Sequence, residues 1–322
     1  MKKFATCLIV LVFLLLVVTA FAANSLSRSK SGGSKVKIVK WENDSTCYPQ
    51  KMMKDAIHVV RSIPGFGPVN ESERQILAKE ATRLSNRYDA TISVEQLIAM
   101  RTMELAITAR RSGTRAHRLG EEIAAARKRG DSVLDIAIRY KLPPTSVLRQ
   151  ILIEDKHSTG KVRAMVADPT QLPPDLAAEA EAIFAADLGS RVNADVIREE
   201  SQAFENTLGK HLRSIGIKFK TEDEIRDEYA TGVRTGPMLT PDYLITKPVR
   251  INGRPVRWID AKNYPLFNSQ LVAKGLVKQA TKYTRAFGPG AMVFSGGLMC
   301  GSSVLPTSRL KPPLLLDGSH IS

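Results

Sequence analysis

Apolar residues recur at every third or fourth position through the first half of the chain, from about residue 48 to residue 153. This spacing is typical of amphipathic helices, and the sequence PGFGP at residues 64–68 separates one helix from the next. Ser93, followed three positions later by Gln96, has the form of a helix cap. The pattern therefore predicts an all-helical N-terminal half, which we assign to residues 47–157.

Two short helices joined by a tight turn are predicted near the end of this half. Residues 132–140 have a helical pattern, the sequence KLPP at residues 141–144 forms the turn, and Thr145 is expected to cap the second helix. The arrangement has the form of a helix-turn-helix, whose second helix would present Arg149 and Gln150 outward to nucleic acid. Two antiparallel helices that pack only for the sake of the core account for the pattern equally well.

The apolar spacing changes after a proline-containing stretch at residues 157–175. Alternating apolar positions on both sides of the Asn-Gly pair at 252–253 predict a β-hairpin, because this pair favours a type I′ turn. A helix over residues 268–287 and a strand over residues 291–294 are predicted to follow. We therefore expect an α+β protein overall, with a helical N-terminal half and an α/β domain over residues 175–322 built on a central mixed sheet.

The N-terminus carries a segment of a different kind. Residues 1–22 contain a basic start, an apolar run and a small-x-small site, which are the three parts of a secretory signal. The apolar run is also long enough for a membrane anchor. A segment that is not used, or a wrongly chosen start codon, is the alternative. Residues 23–46, rich in Ser, Lys and Gly, are predicted to form a basic flexible linker.

The charge of the chain points to a polyanionic partner. Lysine and arginine number 47 against 32 aspartates and glutamates, a formal net charge of +15. Such a balance favours nucleic acid or an anionic membrane surface as the partner, the membrane only if residues 1–22 stay as an anchor. Three cysteines exclude a disulfide scaffold and a Cys-rich zinc module. No Walker-type phosphate loop is present, which argues against ATP-driven chemistry.

Two carboxylates and a lysine are predicted to meet at the open end of the hairpin. Asp260 and Lys262 lie two residues apart on the returning strand and share one face, and Asp242 begins the opposite strand. Carboxylate oxygens are the ligands that Mg²⁺ prefers, and Lys262 would orient or help to deprotonate an attacking water. Charged residues on a solvated strand face are the alternative interpretation.

The sequences around these residues resemble a known family. Pro241-Asp242 followed by Asp260-Ala261-Lys262 resembles the PD-(D/E)xK nuclease superfamily. TPD at residues 240–242, WIDAK at 258–262, FGPG at 287–290 and DPTQLP at 168–173 resemble the TPD-motif family, which includes the codanin-interacting nuclease of congenital dyserythropoietic anaemia. The resemblance covers roughly residues 120–300. It implies a restriction-endonuclease-like domain, a Mg²⁺- or Mn²⁺-dependent nuclease, and a codanin-like protein as a partner.

The resemblance also implies roles for single residues. Asp242 and Asp260 would be metal ligands, the backbone carbonyl of Ala261 a third ligand, and Lys262 the catalytic lysine. Glu205, on the helix before the sheet, is similar in placement to an extra acidic ligand of some members. An exposed helix charge explains Glu205 equally well, and Glu200 is a weaker candidate.

A second implied element lies on the helix after the hairpin. Gln279 and Tyr283, four residues apart on one helical face, resemble a Q-x-x-x-Y element that lies beside the site and contacts DNA. An ordinary helix surface with a half-buried tyrosine is the alternative.

The sequence therefore predicts a metal-dependent nuclease that hydrolyses phosphodiester bonds, in DNA more than in RNA. A non-catalytic partner-binding scaffold of the same fold and a helix-turn-helix DNA-binding regulator are the alternatives. The family resemblance implies the nucleus or the cytoplasm, whereas residues 1–22, if used as a signal, imply the secretory pathway.

Overall fold

The structure, a computed structural model, describes residues 36–42, 48–266, 270–298 and 312–321. The predicted signal or anchor at residues 1–22 and most of the predicted linker lie outside these residues. The helices are α1 (Gln50–Ser62), α2 (Glu71–Tyr88), α3 (Val94–Arg118), α4 (Gly120–Lys128), α5 (Val133–Tyr140), α6 (Pro144–Glu154), α7 (Thr159–Ala167), α8 (Pro174–Ala185), α9 (Arg191–Ser214), α10 (Glu222–Ala230) and α11 (Gln270–Phe287). The strands are β1 (Lys37–Val39), β2 (Phe219–Thr221), β3 (Tyr243–Ile251), β4 (Arg254–Lys262), β5 (Ala291–Phe294) and β6 (Leu314–Asp317). Within the described ranges, no helix combines the length and apolar character that crossing a membrane requires.

The strands form one mixed sheet. Its order is β1-β3-β4-β5-β6, and β2 pairs with β3 on the same edge as β1. β3 and β4 are antiparallel and are joined at Asn252 and Gly253, whose φ angles of 46° and 76° are those of a type I′ turn. β5 runs parallel to β4, and β6 runs parallel to β5. The predicted α+β class, hairpin and mixed sheet are confirmed.

Local capping interactions define where several helices begin. Asn70, Ser93, Ser132 and Thr221 each form a capping box with the residue three positions later, as the sequence predicts at Ser93. The predicted Thr145 cap is wrong, because α6 begins at Pro144 and has no side-chain cap. The backbone N–H of Thr145 instead donates a hydrogen bond to a residue distant in sequence.

The carboxylate that accepts hydrogen bonds at the N-terminus of α6 belongs to Asp187, in the turn between α8 and α9. Its Oδ2 accepts hydrogen bonds from the Thr145 backbone N–H, at 2.9 Å, and from the Thr145 hydroxyl. Asp187 is buried, and its Oδ1 accepts from the N–H of Gly189 at 2.7 Å. A tertiary contact thus replaces a local cap at this helix.

Helices cover both faces of the sheet. On one face, Leu208 and Leu212 of α9 pack in a cluster with Ile259 of β4. On the other face, α11 and the first three helices pack in a cluster with Trp258 and Phe294. The first part of the helical half therefore covers the sheet instead of forming a separate domain.

The remaining helices form a second helical unit. Its core extends from Ala116, at the end of α3, to Ile183 in α8, and includes Met165, Leu172 and Leu176. The predicted boundary at residues 157–175 falls inside this cluster. The structure therefore groups the helices differently from the sequence prediction.

Helix α6 is the centre of this unit and packs against α3, α4, α5, α7 and α8. Arg149 is exposed, as predicted, but Gln150 is buried and donates a hydrogen bond to Oε1 of Glu154 at 2.7 Å. The prediction that Gln150 faces outward is wrong, because neighbouring helices surround most of α6. Little of the second helix of the predicted helix-turn-helix is left to enter a DNA groove.

Candidate active site

The structure brings Asp242, Asp260 and Lys262 together at the open end of the hairpin. Tyr243 pairs with Ile259, so that Asp242 stands beside Asp260 on the neighbouring strand. Oδ2 of Asp242 accepts a hydrogen bond from the backbone N–H of Ala261 at 2.6 Å. The ammonium group of Lys262 forms an ion pair with Oδ2 of the buried Asp260.

A large irregularity in β3 makes this juxtaposition possible. Leu244 pairs with Trp258 and Val249 with Val256, so that the four residues 245–248 of β3 stand opposite the single residue Arg257 of β4. The unpaired stretch includes Pro248, which has no N–H to donate to the ladder. Without this bulge the two aspartates would lie at different levels of the hairpin.

Burial and neighbouring charges shift the pKa of all three groups at the site. Burial, reinforced by the neighbouring Asp260, raises the pKa of Asp242 to about 8. Burial also raises the pKa of Asp260, and the charge of Lys262 opposes that rise. For Lys262 burial disfavours the charged form, but Asp260 outweighs this effect and the pKa is raised. Among the described residues, Lys262 forms an ion pair with Asp260, and Asp242 forms none.

Gln279 and Tyr283 on α11 contact both Asp260 and the segment that precedes Asp242. The amide of Gln279 donates to Oδ1 of Asp260 at 3.1 Å and lies 3.4 Å from the Tyr283 hydroxyl. That hydroxyl donates to the carbonyl oxygen of Thr240, two residues before Asp242, at 3.0 Å. The contacts observed for the pair are therefore with the site itself, and their contact with nucleic acid stays a prediction.

The WIDAK and FGPG sequences meet behind Asp260. The buried indole of Trp258 donates to the carbonyl oxygen of Gly288 at 2.9 Å and packs edge-on against the ring of Tyr283. A Cβ atom at Gly290 would overlap the indole ring. Glycine at this position lets the end of α11 close onto β4.

Glu222 is a neighbour of the site that the sequence analysis missed. Its Oε1 accepts hydrogen bonds from the Thr240 hydroxyl at 2.7 Å and from Arg226 at 2.6 Å. The sequence shows an acidic first turn in α10, but only the pairing of β2 with β3 brings this turn to the site. Glu222 thus binds the side chain of Thr240, and Tyr283 binds its backbone carbonyl oxygen.

Glu205 lies near the site but does not complete a ligand set. Burial, then the charges of Glu222 and Asp260, raises the pKa of its carboxyl group. Among the described residues, no group of three or more His, Cys, Asp or Glu side chains is arranged to hold a metal ion. Glu200 is exposed on the same helix. The role of Glu205 as a metal ligand therefore stays a prediction.

Arg110 of α3 brings positive charge near the site from the helical half. Burial raises the pKa of the Tyr264 hydroxyl, and the nearby charges of Lys262 and of Arg110 on α3 oppose that rise. The exposed arginines of this part of α3 are Arg110, Arg111, Arg115 and Arg118. Of these four, Arg110 is the one whose charge acts on a residue beside Lys262.

A cavity of about 260 Å³ opens beside Gln279, between α11 and the segment before β3. It is lined by Met238, Leu239, Thr240, Gly275, Lys278, Gln279, Lys282 and Tyr283. We call it the α11 cavity. It shares Thr240, Gln279 and Tyr283 with the network that holds the two aspartates.

Comparison with known proteins finds a family that matches part of the chain, and it indicates no activity. Residues 173–304 match the family described as "Protein of unknown function TPD sequence-motif", and this range contains Asp242, Asp260 and Lys262. An uncharacterized protein of Acanthamoeba polyphaga mimivirus is 42% identical over 134 residues, which cover 40% of this chain and 44% of the relative. The similarity thus spans less than half of the relative's length. No solved structure matches the chain.

Proposed function

We propose that this protein is a metal-dependent nuclease that hydrolyses phosphodiester bonds, in DNA more than in RNA, with a restriction-endonuclease-like PD-(D/E)xK core. The observation that carries the proposal is the convergence of Asp242, Asp260 and Lys262 on adjacent strands. Three charged groups at one partly buried point are costly for stability alone. The order of α9, the β2-β3-β4 meander, α11 and the parallel strand β5 supports such a core.

The oxygen atoms at the site fit a hard divalent cation such as Mg²⁺ or Mn²⁺. No donor in the described part of the chain meets the buried Oδ2 of Asp260 at hydrogen-bonding angles, and its contact with Lys262 is an ion pair. Asp242, Asp260 and the carbonyl oxygen of Ala261 are the groups that would hold the ion. A bound Mg²⁺ supplies polarisation of a phosphoryl oxygen and a water of lowered pKa.

The side chains of the chain itself would do the remaining work. The ammonium group of Lys262, kept charged by Asp260, would stabilise the negative charge that develops on the phosphate and orient the attacking water. Gln279 would hold Asp260, and Tyr283 would hold the segment that carries Asp242. The exposed arginines of α3 would bind backbone phosphates without reading base sequence.

A cleavage assay tests this proposal. The chain is incubated with labelled single-stranded, duplex and branched DNA and RNA, with Mg²⁺, Mn²⁺ or EDTA. We expect cleavage that requires metal and is lost in Asp260→Asn and Lys262→Ala. Lys247→Ala, which removes an exposed lysine from the same hairpin, is the matched control and should cleave as the wild type does. If the wild type binds these substrates but never cuts them, a non-catalytic scaffold replaces the nuclease.

A further inference from the structure

Three lysines form a row along the exposed surface of α11. Lys274, Lys278 and Lys282 are each exposed and are four residues apart, so that successive side chains lie about 6 Å apart along the helix axis. None of the three forms an ion pair with a residue in the described part of the chain. By contrast, Lys220 and Arg234 at the sheet edge both pair with Glu228. The lysine row therefore carries positive charge that forms no ion pair with any acid among the described residues.

The α11 cavity opens directly beside this row. Lys278 and Lys282 line it together with Gln279 and Tyr283, whose contacts reach Asp260 and the segment before Asp242. A phosphate bound by the lysine row would therefore be separated from Asp260 by the side chain of Gln279.

Gly275 leaves the surface of α11 open beside the lysine row. Glycine inside a helix is less favourable than alanine, yet a Cβ atom at Gly275 would meet no atom within 4 Å. Internal packing thus gives no reason for glycine at this position. Its missing side chain widens the α11 cavity where a ligand would contact the helix backbone.

The wall opposite the lysine row is apolar. Met238 is exposed and lines the α11 cavity together with Leu239. A nucleic-acid strand has this division, with charged phosphates on one side and less polar sugars and bases on the other. A duplex is too wide for a cavity of about 260 Å³, whereas one nucleotide of a single strand is of suitable size.

We propose that the row Lys274, Lys278 and Lys282 binds consecutive phosphates of a single nucleic-acid strand, one nucleotide of which enters the α11 cavity over Gly275. This inference rests on the nuclease function proposed above, since it describes how the strand would reach that site. It assigns strand binding to the lysine row and leaves Gln279 and Tyr283 to position the acids.

Binding can be tested separately from cleavage. The full chain is titrated with a fluorescein-labelled oligothymidylate in EDTA, and fluorescence anisotropy is followed at several salt concentrations. Each lost phosphate contact lowers the salt slope for a single strand by about 0.7. For the double variant Lys278→Ala/Lys282→Ala we expect a slope lower by about 1.4 and an affinity lower by about 25-fold at about 0.1 M salt.

Two matched controls separate this site from general electrostatics and from loss of folding. Lys210→Ala/Lys218→Ala removes the same charge outside α11, with Lys210 on the helix that covers the opposite face of the sheet, and should bind as the wild type does. Gly275→Ala should raise the melting temperature but lower the affinity for the strand. Gly113→Ala, at an equally open helical position in α3, should raise the melting temperature without changing the affinity.

The outcomes for the inference and for the proposed function are distinct. If the wild type binds no strand, if Lys278→Ala/Lys282→Ala binds like the wild type, or if the control pair loses as much affinity, the inference is overturned. Metal-dependent cleavage, together with unchanged strand binding in the lysine variant, would support the nuclease function and contradict strand binding by the lysine row. Strand binding that depends on the lysine row, without any cleavage, would support the binding role of the row and contradict the nuclease function.

Discussion

The side-chain amide of Gln279 donates a hydrogen bond to Oδ1 of Asp260 at 3.1 Å, from a helix that packs on the face of the sheet where Asp260 lies. The other carboxylate oxygen of Asp260 faces Lys262. An amide suits this position because it donates a hydrogen bond without adding charge to a buried site. Helix α11 thereby fixes the orientation of a carboxylate on β4.

Replacing Gln279 should be costly even though it bears no charge. Gln279→Ala leaves a buried carboxylate oxygen without its donor, and we expect the free energy of unfolding to fall by about 1–3 kcal/mol in urea denaturation. Gln75→Ala removes an amide from the exposed surface of α2 and should change this free energy by less than about 0.5 kcal/mol. Equal effects of the two substitutions would contradict the role of Gln279.

The hydroxyl of Tyr283 can be removed while its ring stays in place. Tyr283→Phe deletes the hydrogen bond to the Thr240 carbonyl oxygen but keeps the packing on Trp258. We expect a loss of about 0.5–1.5 kcal/mol in the free energy of unfolding and slower cleavage at unchanged strand affinity. Tyr140→Phe, on α5, is the control. A variant that cleaves at the wild-type rate would show that Thr240 does not need this support.

The acidic pair should make stability depend on pH. Asp242 has its pKa raised to about 8, whereas an unfolded aspartate titrates near about 4. The folded state retains a proton that the unfolded chain has already lost, so this contribution is full below about pH 4 and disappears as the pH rises through about 8. In EDTA, we expect the free energy of unfolding to fall over this range, and to fall less in Asp242→Asn.

Divalent metal should reverse that loss. A cation binds the ionised carboxylates better than the protonated ones and stabilises the folded chain by mass action. We therefore expect Mg²⁺ to raise the melting temperature more at about pH 8 than at about pH 5. Asp242→Asn should weaken this response. A shift of equal size at both pH values would argue against binding at these carboxylates.

Gly290 should tolerate no side chain. Gly290→Ala places a methyl group into the indole of Trp258, and overpacking of this kind costs about 1–3 kcal/mol. Urea denaturation of Gly290→Ala should show this loss. Gly130→Ala is a poor comparison because its φ is positive, so Gly160→Ala, where a Cβ atom meets nothing, is the control. Equal stability of both variants would mean that the end of α11 does not rest on Trp258.

The features that the sequence predicts well are local ones. The Asn-Gly turn is set by two adjacent residues, and the cap at Ser93 by its neighbour Gln96 three positions later. The pairing of Asp242 with Asp260 was expected from counting along the hairpin, but the bulge between Leu244 and Val249 that completes it leaves no mark in the alternation of apolar residues.

The features that the sequence misses depend on distant contacts. Gln150 is polar on a helix of favourable pattern, and only the surrounding helices bury it. Glu222 looks like one acid among several in a first turn, until β2 joins β3 and brings that turn to Thr240. Such placements are fixed by packing, which no short window of sequence contains.

Helices α1, α2 and α3 cover one face of the sheet, but they lie outside the segment that matches the family. Residues 173–304 contain Trp258 and Phe294, but Met52, Leu84 and Met100, from the same core cluster, lie outside them. Excised alone, the shared segment would expose an apolar face and aggregate. A protein that contains this segment therefore needs additional helices that bury the apolar face. We expect the site residues and these helices to be retained together in evolution.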